Sequence, residues 1–184
     1  MDLKSKIVLV TGGSLGIGLE TAKMLKKRGA EVIITGRNKE RLEKAAQEND
    51  LFHVVSDVSK EDDVINLFKF IMKKFGKLDA LINNAGYGYF ELVDNIDTLK
   101  FNDVLQTNVI GAAMAAREAA KIFKEQNSGA IVNIASTAAT KGFAGGTPYV
   151  ATKFALRGMT ECWRAELRPY NVRVILINPS EVQT

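Results

Sequence analysis

The chain reads T-G-G-S-L-G-I-G from Thr11 to Gly18, where the apolar run Ile7–Thr11 enters a series of glycines. Apolar residues then recur at helical spacing to about Arg28, and Gly29 is expected to end that helix. Glycines in such a turn let the backbone approach a pyrophosphate, and the helix N-terminus that follows offers free N–H groups. The spacing is G-x-x-x-G-x-G, and a glycine-rich turn alone is often only a turn. Its place between a strand and a helix therefore carries the prediction of a dinucleotide site.

Short apolar runs alternate with helical patterns along the rest of the chain. This alternation predicts an α/β fold with a Rossmann-type, doubly wound parallel sheet in the order 3-2-1-4-5-6 and helices on both faces. The ligand is expected at the carboxyl ends of the strands, near the switch point between strands 1 and 4. The predicted strands are Ile7–Thr11, Glu31–Gly36, Leu51–Ser56, Asp79–Asn83, Ala130–Ala135 and Val172–Ile177. The later predicted helices are one capped by Asn38 that runs through Ala46, one that starts at Ser59 and ends at Gly76, and the segments Asn102–Lys124 and Tyr149–Leu167.

The composition is that of an enzyme-like globular protein. The 184 residues are 46% hydrophobic and 25% charged, so residues 1–184 are expected to form a single domain. The net charge of +4 is dispersed and does not predict nucleic-acid binding, although it suits a phosphorylated cofactor. One cysteine and one histidine provide neither an internal disulfide nor a zinc site, and no metal is expected. A charged start and a short apolar run at Ile7–Val10 argue against a signal peptide or membrane span and favour the cytoplasm.

Three residues in the second half of the chain suggest proton transfer. Tyr149 and Lys153 are four residues apart in Y-V-A-T-K, and Ser136 precedes the tyrosine by thirteen residues. On a helix the first two share a face. A tyrosine side chain has an ordinary pKa of about 10, and a neighbouring ammonium or oxidised nicotinamide favours its ionised form. A serine can donate a hydrogen bond to an oxygen on which negative charge develops. Each residue alone is usually structural, but beside a dinucleotide site they predict hydride transfer with Tyr149 as the acid/base.

The end of the second strand bears on which dinucleotide binds. An acidic residue about twenty positions beyond the glycine turn would mark a free ribose 2′-hydroxyl. The chain instead reads Thr35-Gly36-Arg37-Asn38, without an acid. Arg37 can pair with a 2′-phosphate through two hydrogen bonds, although a solvated loop arginine is the plain alternative. NADP is therefore favoured over NAD.

These landmarks, in this order, resemble the short-chain dehydrogenase/reductase family over nearly the whole chain. They are the turn at Thr11–Gly18, Asp57-Val58 after the third strand, N-N-A-G at Asn83–Gly86, and Asn108, Ser136, Tyr149 and Lys153. With Arg37 in place of an acid, the chain looks like the NADP-preferring branch. By resemblance, Asp57 and Val58 flank the adenine. The cofactor-binding residues that the resemblance implies are Gly12, Ser14, Leu15, Gly16, Ile17, Gly18, Arg37, Asn38, Asp57, Val58, Asn84, Ala85, Gly86, Tyr149, Lys153, Pro179, Val182 and Thr184.

The resemblance also implies a catalytic set of Asn108, Ser136, Tyr149 and Lys153. Tyr149 would protonate the substrate oxygen while hydride reaches the carbonyl carbon, and Lys153 would also hold the nicotinamide ribose. Asn108 would anchor a water in a proton relay, or it could bond the backbone within its own helix. The predicted substrate pocket contains Ser136, Ala138, Phe143 and Tyr149, with Tyr87, Tyr89 and Ala144 as further candidates by position.

The predicted function is that of an NADP(H)-dependent oxidoreductase for a carbonyl or secondary alcohol substrate. Sugar, steroid, fatty-acyl, pterin and xenobiotic carbonyls all remain open. The alternative is a non-catalytic NADP(H)-binding sensor or partner subunit, against which the intact Ser136, Tyr149 and Lys153 argue. An epimerase or dehydratase on the same fold is a third interpretation. By resemblance, the helices that contain Asn108 and Tyr149 would form the contacts of a homodimer or homotetramer.

The last predicted strand raises an expectation about the end of the chain. Val172–Ile177 is nearly continuous apolar sequence, which predicts a strand covered on both faces and paired along both edges. Only Asn178–Thr184 follow, which would leave one edge open. The tail P-S-E-V-Q-T resembles the family's P-G-x-V-x-T, with Ser180 in the glycine position. By resemblance Val182 and Thr184 meet the nicotinamide carboxamide, and a substrate lid and seventh strand are expected to be missing from this chain.

Overall fold

The computed structural model describes residues 3–180 and 182, in which strands and helices alternate. The strands are β1 (Ile7–Val10), β2 (Glu31–Gly36), β3 (Phe52–Val55), β4 (Ala80–Asn83), β5 (Gly129–Ile134) and β6 (Val172–Ile177). The α-helices are α1 (Gly16–Lys27), α2 (Lys39–Glu48), α3 (Glu61–Phe75), α4 (Thr98–Leu105), α5 (Ala112–Gln126) and α6 (Thr147–Leu167). None of these helices is both long enough and apolar enough to cross a lipid bilayer.

The six strands are parallel and form one sheet in the order β3-β2-β1-β4-β5-β6, so the predicted order is confirmed. The chain builds outward from β1 to β3, crosses back, and continues from β4 to β6 on the other side of β1. The loops after β1 and β4 therefore leave the sheet at its switch point, where doubly wound folds bind their ligands.

Two apolar layers cover the two faces of the sheet. Leu9 and Ile33 face the layer formed with α3 and α5, whereas Val10 and Ile34 face the layer formed with α1 and α2. All four residues of β1 are buried. Because both faces are covered, the central strands appear in the sequence as continuous apolar runs without alternation.

The predicted start of α3 at Ser59 is wrong, although its predicted end at Gly76 is confirmed. The helix begins after Lys60, and Gly76 ends it in the left-handed conformation with φ of +70°. Ser59 bonds Asp57 instead, since its N–H and its hydroxyl both donate to Asp57 Oδ1, at 3.0 and 2.7 Å. A carboxylate two residues earlier in the chain competes for the serine and draws it into a local turn.

The helix predicted to begin at Asn102 begins at Thr98 and is not a regular α-helix throughout. Asp97 caps it by accepting hydrogen bonds from two N–H groups of its first turn, at 2.9 and 3.2 Å. Between α4 and α5 the segment Gln106–Gly111 is a π-helix, and Asn108 lies inside it. A π turn holds one residue more than an α turn, and such segments are frequent at functional sites.

β6 also differs from its prediction, because only one of its faces is covered. Val172 and Val174 belong to the core beneath α5 and α6, whereas Ile175 and Ile177 expose 40% and 45% of their surface. Among residues 3–180 and 182, β6 pairs along one edge only, with β5. The apolar run thus predicted the strand with its bounds, and the open edge is the one expected for this chain.

A chain of buried amides and hydroxyls fastens β4 and β5 to the helices. Asn83 donates from Nδ2 to Asn133 Oδ1 at 3.0 Å and to the carbonyl of Ala112 at 3.2 Å. Asn133 donates from its own Nδ2 to Thr160 Oγ1 at 2.8 Å, and Thr160 donates to the carbonyl of Leu156 at 2.7 Å. A buried polar group costs free energy unless it is bonded, so this network fixes how α5 and α6 sit on the sheet.

We expect Asn133→Leu to lower the free energy of unfolding by roughly 2–3 kcal/mol, because leucine removes one of the two hydrogen-bond partners of the buried Asn83 amide and of the buried Thr160 hydroxyl. Urea unfolding followed by circular dichroism measures the change. Asn102→Leu, on the exposed surface of α4, is the matched control and should change stability by less than about 0.5 kcal/mol. Equal unfolding midpoints for Asn133→Leu and the wild type would contradict the role given to the network.

Candidate active site

A cleft of about 650 Å³ runs along the carboxyl edge of the sheet, past the loops that follow β1 to β4, and reaches α6. Its volume is in the range of cofactor and small-molecule sites. The cleft brings together most of the residues predicted to bind a cofactor, namely Gly12, Ser14, Leu15, Gly16, Ile17, Gly18, Arg37, Asn38, Asp57, Val58, Asn84, Ala85, Gly86, Tyr149 and Lys153.

Thr11 ties the glycine turn to the loop after β4. Its Oγ1 accepts hydrogen bonds from the N–H groups of Asn84 and Ala85, both at 3.1 Å, and donates to the carbonyl of Ile82 at 3.3 Å. In return, Asn84 donates from Nδ2 to the carbonyls of Thr11 and Gly12 at 3.0 and 3.1 Å. Thr11 is buried, so water does not compete for these bonds. The two loops at the switch point therefore keep a fixed relative position.

Two glycines of the turn are required by the packing of the protein itself. Gly12 has a φ of +65°, and a Cβ there would lie 2.8 Å from the Cα of Ala85. A Cβ on Gly18 would lie 2.4 Å from Asn84 Nδ2 and from the carbonyl oxygen of Gly12. The sequence assigned these glycines to the approach of a ligand, and the structure adds that they let the turn pack against the loop after β4.

The N-terminus of α1 is open to the cleft. No side chain caps it, its first turn contains no acidic residue, and Gly16, Ile17 and Gly18 line the cleft. The first N–H groups of a helix have no partner within it and carry partial positive charge. This end of the helix therefore fits an anion such as a pyrophosphate.

Two arginines line the cleft beyond the end of β2. Arg37 and Arg41 are both exposed, and Arg41 donates from Nε to Ser14 Oγ in the glycine turn at 3.4 Å. Asn38 caps α2 as predicted, because its side chain accepts a hydrogen bond from the N–H of Arg41 at 2.8 Å. Sequence reasoning missed Arg41. Its signal was a position one helical turn beyond Arg37, on a helix whose start Asn38 already marked.

Asp57 is held in the cleft wall by its own loop. One carboxylate oxygen accepts the two bonds from Ser59, and the N–H of Asp57 donates to Asp63 at 2.9 Å. These bonds fix the direction of the side chain that the resemblance assigned to the adenine. Across residues 3–180 and 182, no cluster of three or more His, Cys, Asp and Glu side chains could hold a metal ion.

Lys153 places a buried positive charge at the α6 end of the cleft. It is 8% exposed, its Nζ donates to the carbonyl of Ile134 at 3.0 Å, and Nζ lies 5.5 Å from the centre of the Tyr149 ring. Burial lowers the pKa of Lys153 from 10.5 to about 8, because the charged ammonium loses hydration. The group is charged at neutral pH but close to its titration point. A buried lysine with a shifted pKa in a cleft is a candidate functional residue.

The side chain of Asn108 joins the π-helical segment to the loop after β4 and to α6. Its Oδ1 accepts from the N–H of Tyr87 at 3.0 Å, and its Nδ2 donates to the carbonyl of Tyr87 at 2.9 Å and to Thr152 Oγ1 at 3.2 Å. Thr152 donates in turn to the carbonyl of Tyr149 at 2.7 Å. The alternative of a bond within its own helix is therefore wrong. Both side-chain amide hydrogens are used. A water could therefore bind Asn108 only by donating to its side-chain Oδ1 or to its main-chain carbonyl oxygen.

Ser136 lies just beyond β5 and caps the short 3-10 turn Thr137–Ala139. Its Oγ accepts a hydrogen bond from the N–H of Ala138 at 3.1 Å, which leaves the hydroxyl hydrogen available to a substrate oxygen. The N–H of Thr137 donates to the carbonyl of Pro179 at 3.0 Å and so brings the predicted cofactor residue Pro179 to the Ser136 segment. Neither Ser136 nor Pro179 lines the cleft itself.

The predicted pocket residues after β5 differ in accessibility. Ala138 is 4% exposed and offers little surface to a ligand. Phe143 and Ala144 are exposed in the loop before α6. At the end of the chain Val182 is exposed, and Thr184 lies outside the described residues.

After β4, an aromatic residue that the sequence did not single out lines the cleft. The ring centre of Phe90 lies 5.3 Å from that of Tyr149. Tyr87 also lines the cleft, whereas the hydroxyl of Tyr89 accepts a hydrogen bond from the N–H of Asp97 at 2.9 Å. The only signal for Phe90 was its place in the run Y-G-Y-F, because an irregular loop has no periodicity from which side-chain direction can be inferred.

Comparison with known proteins places this geometry in a family. A family model described as short chain dehydrogenase matches residues 6–184. An uncharacterized oxidoreductase of Staphylococcus saprophyticus is 34% identical over 188 residues, which cover 100% of this chain and 76% of that protein.

Two solved structures also resemble the chain over nearly its whole length. An NAD⁺-bound xylitol dehydrogenase is 36% identical with a TM-score of 0.94, and the match covers 100% of this chain and 73% of that one. A short-chain dehydrogenase from Streptomyces avermitilis is 28% identical with a TM-score of 0.94, over 98% of this chain and 67% of that one. The likeness therefore extends over the whole sheet and the cleft along its edge.

We expect Lys153→Met to raise the free energy of unfolding of the ligand-free protein at pH 7 by roughly 1–3 kcal/mol, because it removes a buried charge. Below pH 8 both the folded and the unfolded protein hold the Lys153 proton, so the full cost is present there. Above pH 8 the folded protein releases the proton first, while the unfolded one keeps it up to its ordinary pKa of 10.5.

The stability difference between Lys153→Met and the wild type should therefore shrink as the pH rises from 8 toward 10.5. Urea unfolding of both proteins at a series of pH values measures it. Lys69→Met, an exposed lysine of α3, is the control and should show no such trend. A constant difference across that range would contradict the lowered pKa.

Proposed function

The chain belongs to the short-chain dehydrogenase family and is an oxidoreductase of that family, and we propose that it transfers hydride between NADP(H) and a carbonyl or secondary alcohol. The observation that carries the proposal is the buried Lys153 ammonium beside the ring of Tyr149, in a cleft that also contains an uncapped helix N-terminus. A protein that only binds a dinucleotide has no use for a tyrosine in that position.

Different residues of the cleft would contact different parts of the dinucleotide. The pyrophosphate fits the N–H groups at the start of α1, near Gly16, Ile17 and Gly18. The adenine fits the wall at Asp57 and Val58, and the nicotinamide end falls toward α6. When bound, the cofactor would supply or accept the hydride. The hydrogen bonds between the glycine turn and the loop after β4 keep the binding site for the cofactor in a fixed shape.

Tyr149 is the proposed proton donor in reduction and the acceptor in oxidation. The Lys153 ammonium stabilises negative charge on the tyrosine oxygen as the proton leaves. Ser136 donates its free hydroxyl hydrogen to the substrate oxygen, where charge develops. Asn108 holds the Tyr149 segment of α6 through Thr152, and a water on one of its carbonyl oxygens would continue the proton path.

NADP is the proposed cofactor because the chain has an arginine, and no acidic residue, directly after β2. Arg37 and Arg41 both line that part of the cleft, and Arg41 contacts Ser14. Guanidinium groups bind a phosphate through paired hydrogen bonds. NAD is the competing candidate, since a solved structure 36% identical to this chain is an NAD⁺-bound enzyme.

The non-catalytic alternative is not favoured. Relatives of this chain are named oxidoreductases or dehydrogenases. A sensor would also gain nothing from burying Lys153, whose charge costs stability.

We expect Tyr149→Phe to bind NADPH almost normally and to lose turnover by about 10²–10⁴-fold, because only the proton donor is removed. The absorbance of NADPH, followed with a panel of ketones, diketones and quinones, measures turnover. Tyr170→Phe, which removes a hydroxyl from a partly exposed tyrosine at the far end of α6, is the matched control. Substantial activity in Tyr149→Phe would refute the acid/base assignment.

We expect NADPH to bind about tenfold or more tightly than NADH, and Arg37→Asp to remove that preference, because a carboxylate repels the 2′-phosphate. Arg41→Ala should weaken NADPH binding and leave NADH binding unchanged. Calorimetric titration with each cofactor measures the affinities.

Lys69→Asp provides the same change of net charge on the exposed side of α3, so it controls for long-range electrostatics. Equal affinities of the wild type for NADPH and NADH would show that the NADP assignment is wrong, while the oxidoreductase function would stand.

A further inference from the structure

Two phenylalanine rings beside Tyr149 face solvent. Phe90 and Phe143 expose 55% and 52% of their surface. The ring centre of Phe90 lies 5.3 Å from that of Tyr149 and 6.1 Å from that of Phe143. The N–H of Glu91 donates to the carbonyl of Gly145 at 2.7 Å and joins the two loops that carry the phenylalanines. Together Phe90, Phe143 and Tyr149 form one surface, here called the aromatic wall.

Glycines fix the position of the aromatic wall. A Cβ on Gly88 would lie 2.4 Å from the ring of Phe90, and a Cβ on Gly146 would lie 2.7 Å from the ring of Phe143. Each ring therefore rests on main chain that has no side chain in the way. About half of the surface of each phenylalanine remains open to a ligand.

Two polar side chains beside the aromatic wall each accept a hydrogen bond from the main chain. The Glu91 carboxylate accepts a hydrogen bond from the N–H of Leu92 at 3.1 Å, and the Tyr89 hydroxyl accepts one from Asp97. The faces of Phe90 and Phe143 offer no strong hydrogen bond, so a hydroxyl group placed against them would lose its bond to water without replacement. A flat apolar ring would lose none and would gain contact with aromatic faces.

We propose, building on the oxidoreductase function above, that Phe90 determines substrate specificity together with Phe143. Their exposed faces bind a flat apolar ring attached to the carbonyl carbon, so aryl ketones and aryl aldehydes are the preferred substrate class. The ring packs against Phe90 while the carbonyl oxygen reaches the hydroxyl of Tyr149. When bound, the reduced nicotinamide dinucleotide would supply the hydride for the carbonyl carbon, and Tyr149 donates the proton to the oxygen.

The test compares acetophenone, which carries a flat ring, with 2-butanone, which has no ring to stack on Phe90. In Phe90→Ala the ratio of kcat/KM for acetophenone to that for 2-butanone should fall by about tenfold. Gly88→Ala keeps both phenylalanines but sets a methyl group against the Phe90 ring, and it should lower the ratio in the same direction. Phe70→Ala removes a phenylalanine of α3 that is 38% exposed, and it should leave the ratio unchanged.

Each other outcome overturns the proposal in a distinct way. An equal loss with both ketones in Phe90→Ala would mean that the ring only positions Tyr149. An unchanged ratio would mean that the ring does not contact the substrate. If the wild type reduces other carbonyl compounds but not acetophenone, the substrate class is wrong and the oxidoreductase function stands.

If the wild type reduces no carbonyl compound at all, the proposed function fails and binding decides this inference separately. Saturation-transfer NMR detects acetophenone on the protein with NADPH present, without turnover. Weaker binding to Phe90→Ala than to Phe70→Ala would support the aromatic wall, and equal binding would overturn it.

Discussion

One threonine hydroxyl holds together the two loops on which the cleft depends. At the switch point of a doubly wound sheet the chain leaves β1 and β4 toward different faces, and the gap between the loops must be fixed if it is to serve as a site. Thr11 does this by accepting hydrogen bonds from two N–H groups of the loop after β4, while the side chain of Asn84 donates to a main-chain carbonyl of the glycine turn. The close approach that results leaves no space for a Cβ at Gly12 or Gly18. The hydrogen bonds, the glycines and the free end of α1 are thus parts of one constraint.

The strand order and the gathering of most of the predicted cofactor residues in one cleft could be foreseen, because both follow from parallel strands covered on two faces. The carboxyl ends of such strands share an edge, wherever the residues lie in the sequence. Arg41 and Phe90 escaped prediction for different reasons. Arg41 depends on where α2 begins, which the Asn38 cap indicated, whereas Phe90 lies in a loop without periodicity. Ser59 was misassigned because Asp57 competes for its hydroxyl, a choice between two local bonds that spacing alone does not decide.

The α6 end of the cleft combines groups that folding alone would disfavour. Lys153 is buried at a cost to its charged form, and Phe90 and Phe143 are exposed although apolar. Each departs from what a stable core or a soluble surface requires, and Lys153 and Phe90 both lie beside Tyr149. Departures of this kind persist in proteins where activity opposes stability. The buried amides of Asn83 and Asn133, by contrast, are bonded to the helices and supply rigidity behind the site.

The π-helical segment Gln106–Gly111 determines how α5 is rotated about its axis relative to α4. One extra residue in a helical turn rotates everything that follows by about 100° relative to a regular helix. Because of this rotation, Asn108 can point to Tyr87 and Thr152 while the alanines of α5 still face the sheet. Removing one residue from the segment would restore a regular helix, and the two halves could no longer both be in phase with their partners. The π-helical segment thus lets one continuous helical stretch contact the active-site loops through one side and the sheet through another.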